Sequence, residues 1–171
     1  MLPVQTFCNN LIRPETTIIT EPLGFSLLLG LPRWELKMHP LFEQASEITH
    51  DIIGAALDVH KEKGPGLLET IYEWCLTKEL QLRGYQVKNQ ELVEVQWKQF
   101  RKEYPLKFDL LINSCLLIEV KATESFHPIH KAQLLSYMKL LDIPLGLIIN
   151  FHELKLVDRV SRLILPGANA E

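Results

Sequence analysis

The sequence predicts one α/β domain of the α+β type, a mixed β-sheet flanked by helices in the order α-α-β-β-β-α-β-β. Three observations carry that prediction. A helical stripe opens the patterned region, short apolar runs of strand length follow it, and another helical pattern stands between the third and fourth of those runs. With 171 residues, 47% hydrophobic and 23% charged, the chain fits one domain plus a tail.

Residues 1–40 lack the pattern. Pro3, Pro14, Pro22 and Pro32 interrupt them, and the apolar patch Phe25–Leu31 predicts no more than a short turn or strand in a poorly ordered extension. Met38 lies where the pattern begins, so the domain is placed at 41–166, with 167–171 as a tail. From Ser46, Ile48, Ile52, Ala55, Ala56 and Val59 form the stripe of an amphipathic helix running to about Lys61. Gly64-Pro65-Gly66 ends it as a sharp helix-to-helix turn. A second helix is expected from Leu67 to Arg83, with Leu68, Ile71, Tyr72, Cys75, Glu79 and Leu82 along one side and Gly84 just past its end. Strands are expected at Val87 with Glu91–Trp97, at Tyr104–Ile112 and at Leu116–Ala122. A helix over Ile129–Leu141 follows, then strands at Leu145–Asn150 and Val157–Leu165.

Composition excludes several classes. Eight glycines and three cysteines fit neither a collagen-like nor a disulfide-rich protein. The run Leu23–Leu31 is too short and too interrupted for a membrane helix, and no cleavage site makes it a signal peptide. Cys8, Cys75 and Cys115 are odd in number and widely spaced, which points to a reducing cytoplasm and away from a cysteine-rich zinc site. A net charge of −3 argues against a protein that coats nucleic acid nonspecifically. It leaves open an enzyme whose carboxylates hold metal ions against phosphates.

The stretch from Lys107 to Lys121 is the informative one. Two apolar strands flank Asn113-Ser114, and each carries an acid where a buried strand should not want one. With a two-residue loop, Asp109 would face Ile118; with a three-residue loop, Asn113 to Cys115, it faces Glu119. The longer loop also sorts the faces. It puts Phe108, Leu110, Ile112, Leu116, Ile118 and Val120 on one side, and Asp109, Glu119 and Lys121 with Leu111 and Leu117 on the other. Facing carboxylates repel unless a proton or cation lies between them, and hard divalent cations suit oxygen ligands. A sheet-edge charge pair, with Lys121 neutralising Asp109 or Glu119, fits the same spacing.

Further motifs lie outside the hairpin. Gly66-Leu67-Leu68-Glu69-Thr70-Ile71-Tyr72 reads G-x-x-E-x-x-Y. With Phe108-Asp109-Leu110-Leu111, Ile118-Glu119-Val120-Lys121-Ala122, Pro128–Tyr137 and Asn150-Phe151, it makes the stretch Ile48–Leu165 resemble the GxxExxY family, a branch of the PD-(D/E)XK nuclease superfamily. The resemblance implies a restriction-endonuclease-like core with Asp109 and Glu119-Val120-Lys121 as its D…E-x-K signature. Glu69 would be the helix-borne carboxylate of exonuclease-like members, and Gln133-x-x-x-Tyr137 their Q-x-x-x-Y element. Lys107-Phe108 departs from the arginine and small residue that relatives often place there.

The expected function is therefore a Mg²⁺- or Mn²⁺-dependent phosphodiesterase acting on nucleic acid, with DNA favoured. Asp109, Glu119, Glu69 and the backbone carbonyl of Val120 would hold metal. Lys121 would position water and offset transition-state charge, and Gln133 would orient Lys121 or a phosphate. His130 at a helix start, Tyr137, and Lys98, Arg101 and Lys102 in the aromatic-basic stretch Trp97–Tyr104 are candidate nucleic-acid contacts; a solvated hairpin loop explains that stretch equally well. Tyr72 is expected to pack, its hydroxyl reaching a polar partner. The alternatives are a catalytically inactive nuclease-fold module that binds nucleic acid or a protein partner, and a homodimeric structural subunit.

Overall fold

Helix α1 spans Phe42–Lys63, beginning earlier than the stripe from Ser46 predicts. Its buried side is Ala45, Thr49, Ile52, Ala55, Ala56, Val59 and His60, the three-and-four spacing of one helix face. Residues 38–125, 127–152 and 154–169 are described by the computed structural model; the extension expected over residues 1–37, with Cys8, lies outside the described residues. No described helix is long and apolar enough to cross a membrane.

Helix α2 is Glu69–Leu82. Its buried stripe is Tyr72, Leu76 and Leu80, with Cys75 half-buried; Tyr72 is buried as expected, and Leu76 and Leu80 take the places expected of Leu68 and Leu82. Leu68 and Leu82 are exposed, because the helix leans on α1 and the sheet through the 72/76/80 row rather than the 68/75/82 row. Gly84 (φ 88°) follows its end in the left-handed conformation.

Five strands form one sheet in the order β1-β2-β3-β4-β5: β1 Val87–Trp97, β2 Phe100–Ile112, β3 Leu116–Lys121, β4 Leu145–Asn150 and β5 Val160–Ile164. Helix α3, Pro128–Leu141, crosses between β3 and β4, which pair in parallel; the other neighbours are antiparallel. The sheet is therefore mixed, as expected. A 3₁₀ turn, Leu156–Arg159, takes the first half of the expected last strand.

Strand alternation divides the core. Leu110, Ile112, Leu116, Ile118 and Val120 pack with α1 and α2, while Leu111, Leu117 and Ile148 pack with Leu134 and Met138 of α3. Phe108 belongs to the second group, which corrects its predicted face. The β1–β2 register shifts so that Phe108-Asp109-Leu110 lie opposite Asn89 alone, and a bulge of this kind breaks the two-residue alternation. In the tail, Ala168 is buried and its carbonyl accepts the His39 N–H (2.9 Å).

Gly146 lets α3 approach β4 closely. A Cβ there would lie 2.8 Å from Met138 Sδ and 3.0 Å from Leu134 Cδ2. Met138 and Leu134 are both fully buried, so making room for the Cβ means repacking the α3-side core. Gly146→Ala is expected to destabilise the protein by about 1–3 kcal/mol, read as a lower denaturant midpoint at unchanged m-value. A neutral substitution would mean that α3 shifts freely on the sheet.

Candidate active site

The β2–β3 hairpin pairs Ile112 with Leu116, Leu111 with Leu117 and Leu110 with Ile118, which is the three-residue loop. Asn113 (φ 48°) and Ser114 (φ 56°) take the left-handed conformation that such residues tolerate, and Asn113 Oδ1 accepts the Gln86 N–H (3.0 Å). The paired ladder ends at Leu110 and Ile118, one residue short of Asp109 and Glu119. At that point a side chain replaces the ladder: Asp109 Oδ2 accepts the Val120 N–H at 2.7 Å. The carboxylate is thereby fixed to β3. From the other side, Asn89 Nδ2 donates to the Asp109 carbonyl (2.6 Å) and to Glu73 Oε1 (3.1 Å).

Glu119 is buried on β3, and Lys121 Nζ lies 2.8 Å from its Oε1. Glu69, the first residue of α2, reaches the end of the same strand. Its Oε1 accepts the Ala122 N–H (3.1 Å) and its Oε2 stands 3.8 Å from Lys121 Nζ. Asn150 holds the next residue, donating to the Thr123 carbonyl (2.7 Å) and accepting its N–H (3.0 Å), while the Phe151 N–H donates to the Lys121 carbonyl (2.7 Å).

The turn ahead of Glu69 is pinned by the tyrosine of the G-x-x-E-x-x-Y motif. Tyr72 Oη donates to the Gly64 carbonyl (2.6 Å) and accepts the Leu67 N–H (3.1 Å), and its ring stacks on Phe151 at 4.5 Å. Gly64 (φ 67°) and Gly66 (φ 99°) supply the positive φ this turn requires. Tyr72→Phe leaves two backbone groups short of a partner and should cost about 1–2 kcal/mol in a denaturation curve. An unchanged midpoint would show that the turn holds without the hydroxyl.

Charge in the site is unbalanced. Burial, then the neighbouring Glu119, push the Asp109 carboxyl up to about 6, against the pull of the Val120 N–H and Lys121. Burial and then Asp109 also raise Glu73, and the Asn89 amide opposes them. Burial alone would lower Lys121, but its hydrogen bond and attraction to Glu119 win and hold it above the ordinary lysine value. Glu73 and Asn89 were not singled out in the sequence. Glu73 was open to discovery, because it lies one turn from Glu69 on the same helix face.

The remaining predicted residues lie elsewhere or have other partners. Gln133 Nε2 donates to Tyr137 Oη (3.1 Å) on its own helix, and Tyr137 packs against the α3-side core. His127 caps α3 by accepting the Ile129 N–H (3.2 Å), and the buried His130 Nδ1 has no hydrogen-bond partner among the described residues. Lys98, Arg101 and Lys102 stand on a β1–β2 ribbon beyond the bulge. Trp97 and Phe100 pair across a two-residue turn, so the aromatic-basic stretch is mostly strand rather than loop.

The donor set, all hard carboxylate oxygens with excess negative charge, suits a divalent cation of the Mg²⁺ or Mn²⁺ type. Among the described residues, no three His, Cys, Asp or Glu side chains converge as a ready cage. Lys121 engages Glu119, and the Val120 N–H engages Asp109.

The family comparison agrees with this architecture. A family model described as the PD-(D/E)XK nuclease superfamily matches residues 46–163. No curated protein matches at a significant level. The crystal structure of SSO0001 is similar at 18% identity and a TM-score of 0.44, over 78% of this chain and 65% of that one, so this chain spans just under two thirds of its length.

Proposed function

Because the chain belongs to the PD-(D/E)XK nuclease superfamily, we propose that it is a divalent-metal-dependent nuclease of the GxxExxY branch, hydrolysing phosphodiester bonds of DNA in the cytoplasm. The observation that supports this reading is the gathering of Asp109, Glu119 and Glu69, from two strands and a helix, around Lys121. Nucleases of this superfamily generally use divalent metals. Asp109, Glu119, Glu69 and the Val120 carbonyl would hold Mg²⁺ or Mn²⁺, which when bound supplies an activated water and polarises the phosphate.

The chain's own residues do the rest. Lys121, ammonium at neutral pH, holds the water by hydrogen bonding and faces the charge that develops on the phosphoryl oxygens. Asn89 and the Val120 N–H fix Asp109 from both sides, and the Tyr72-pinned turn fixes Glu69.

Incubation with single- and double-stranded DNA and RNA, under Mg²⁺, Mn²⁺ or EDTA, tests the reading. Cleavage that needs metal and is lost in EDTA is expected. Folded protein that cuts none of the four would hand the case to an inactive nuclease-fold binding module. The absence of a ready three-ligand cage among the described residues favours that second reading.

A further inference from the structure

We propose that the β1–β2 ribbon is a binding face for single-stranded nucleic acid, with unpaired bases stacking on Trp97, Phe100 and Tyr104 and phosphates meeting Lys98 and Lys102. The inference rests on the nuclease reading for the class of ligand and adds its strand form. Beyond the bulge the two strands pair from Gln90/Lys107 to Trp97/Phe100, a ribbon of roughly 24 Å at strand rise. Its base is the Asn89–Asp109 contact, so a chain laid along it leads to the acidic site.

The two faces of this ribbon differ. Strand alternation and the cross-strand pairs put Val93, Val95, Trp97, Phe100, Lys102 and Tyr104 on one face, and Leu92, Glu94, Gln96, Arg101, Glu103 and Pro105 on the other. On the first, Trp97, Phe100 and Tyr104 are 71%, 64% and 46% exposed. Lys102 Nζ lies 4.8 Å from the Tyr104 ring centre and Lys98 Nζ 5.6 Å from that of Trp97. From Val93 to Tyr104 this face carries cations and no acid. Of the ribbon's three acids, Glu94 and Glu103 are on the opposite face, where Arg101 pairs with Glu94 (3.5 Å), and Glu91, opposite Leu106 at the base of the first face, is neutralised by Lys88 (2.9 Å). Aromatic rings interleaved with ammonium groups complement a polyanion that exposes π-faces. A duplex hides those faces inside its stack, so the complement is a single strand. Leu106, at the base of this face, packs against the α3-side core, and Glu119 shares the α3 side with Leu117 by alternation.

Fluorescein-labelled oligo-dT and a duplex of equal length, titrated in EDTA, test the inference by anisotropy. Wild type is expected to bind oligo-dT at least tenfold more tightly than duplex. Trp97→Ala and Phe100→Ala should each weaken oligo-dT binding about tenfold, and Lys102→Ala should reduce the salt slope by about 0.7. Leu92→Ala, on the opposite face, should change nothing. Equal or tighter duplex binding overturns the proposal. So do equal losses from both faces, or ribbon variants that turn a dimer into a monomer while oligo-dT binding is kept. Cleavage by the same variants with Mn²⁺ separates the two readings. Ribbon variants that cut and bind like wild type sink this inference and leave the nuclease standing. Ribbon-dependent binding without any wild-type cleavage supports this inference and sinks the nuclease.

Discussion

Replacing Lys121 by alanine is expected to slow metal-dependent cleavage by about 10²–10³-fold at saturating metal, the scale of losing one electrostatic stabiliser. Two effects of this substitution must be separated. Lys121 is the cation 2.8 Å from buried Glu119 and 3.8 Å from Glu69, so its loss also leaves buried negative charge uncompensated. The metal-free variant should therefore melt below wild type. Mn²⁺ should restore much of that loss, because a divalent ion would take over the compensation, while the rate stays low. If Lys121 is only one half of a structural ion pair, the melting temperature falls and Mn²⁺ does not recover it. Melts with and without Mn²⁺, beside rates on one substrate, resolve the two.

How much of the site could be read from the sequence depended on the range of each contact. The hairpin register was legible because an odd loop was the choice that placed both acids on one face, and strand alternation is local. Phe108 was misplaced because the bulge opposite Asn89 depends on β1, some twenty residues upstream, and no periodicity within β2 announces it. Glu69 was legible through the G-x-x-E-x-x-Y resemblance rather than through physics. Its partner Ala122 is 53 residues away, and a glutamate at a helix start looks like an ordinary favourable charge on the helix dipole. Asn89 carried no motif and Glu73 only its one-turn spacing from Glu69, and the packing of α2 across the bulge brings the two together. In α2 the apolar residues outnumber the row that one face can bury. The sequence allowed the 68/75/82 row as readily as the 72/76/80 row, and tertiary packing chose the latter.

Asp109→Asn is expected to stabilise the metal-free protein at neutral pH while removing most of its response to divalent metal. The Asp109 carboxyl is raised from 3.8 to about 6 by burial and by Glu119, so between those values the folded protein binds more protons there than the unfolded chain does. Its contribution to stability is complete below about pH 4 and is lost as pH rises through 6. An asparagine keeps an oxygen for the Val120 N–H and never acquires the charge. Wild type and variant should melt together near pH 4. They should then diverge until, above pH 7, the variant is the more stable by on the order of 1–2 kcal/mol, a figure reduced for the water that still reaches the group. Glu73 is shifted in the same direction, so the variant should still lose some stability over that range. Metal reverses the order. Mn²⁺ at a hundredfold above its dissociation constant would add about 2.7 kcal/mol to wild type, and the variant, lacking one anionic ligand, should show a small fraction of that. A charge-pair role for Asp109 makes the opposite demand: Asp109→Asn would lower the melting temperature at pH 7 and leave the Mn²⁺ response as it was. An acid that destabilises the empty fold and is relieved only by a cation is the thermodynamic mark of a ligand kept for binding, and these melts measure it directly.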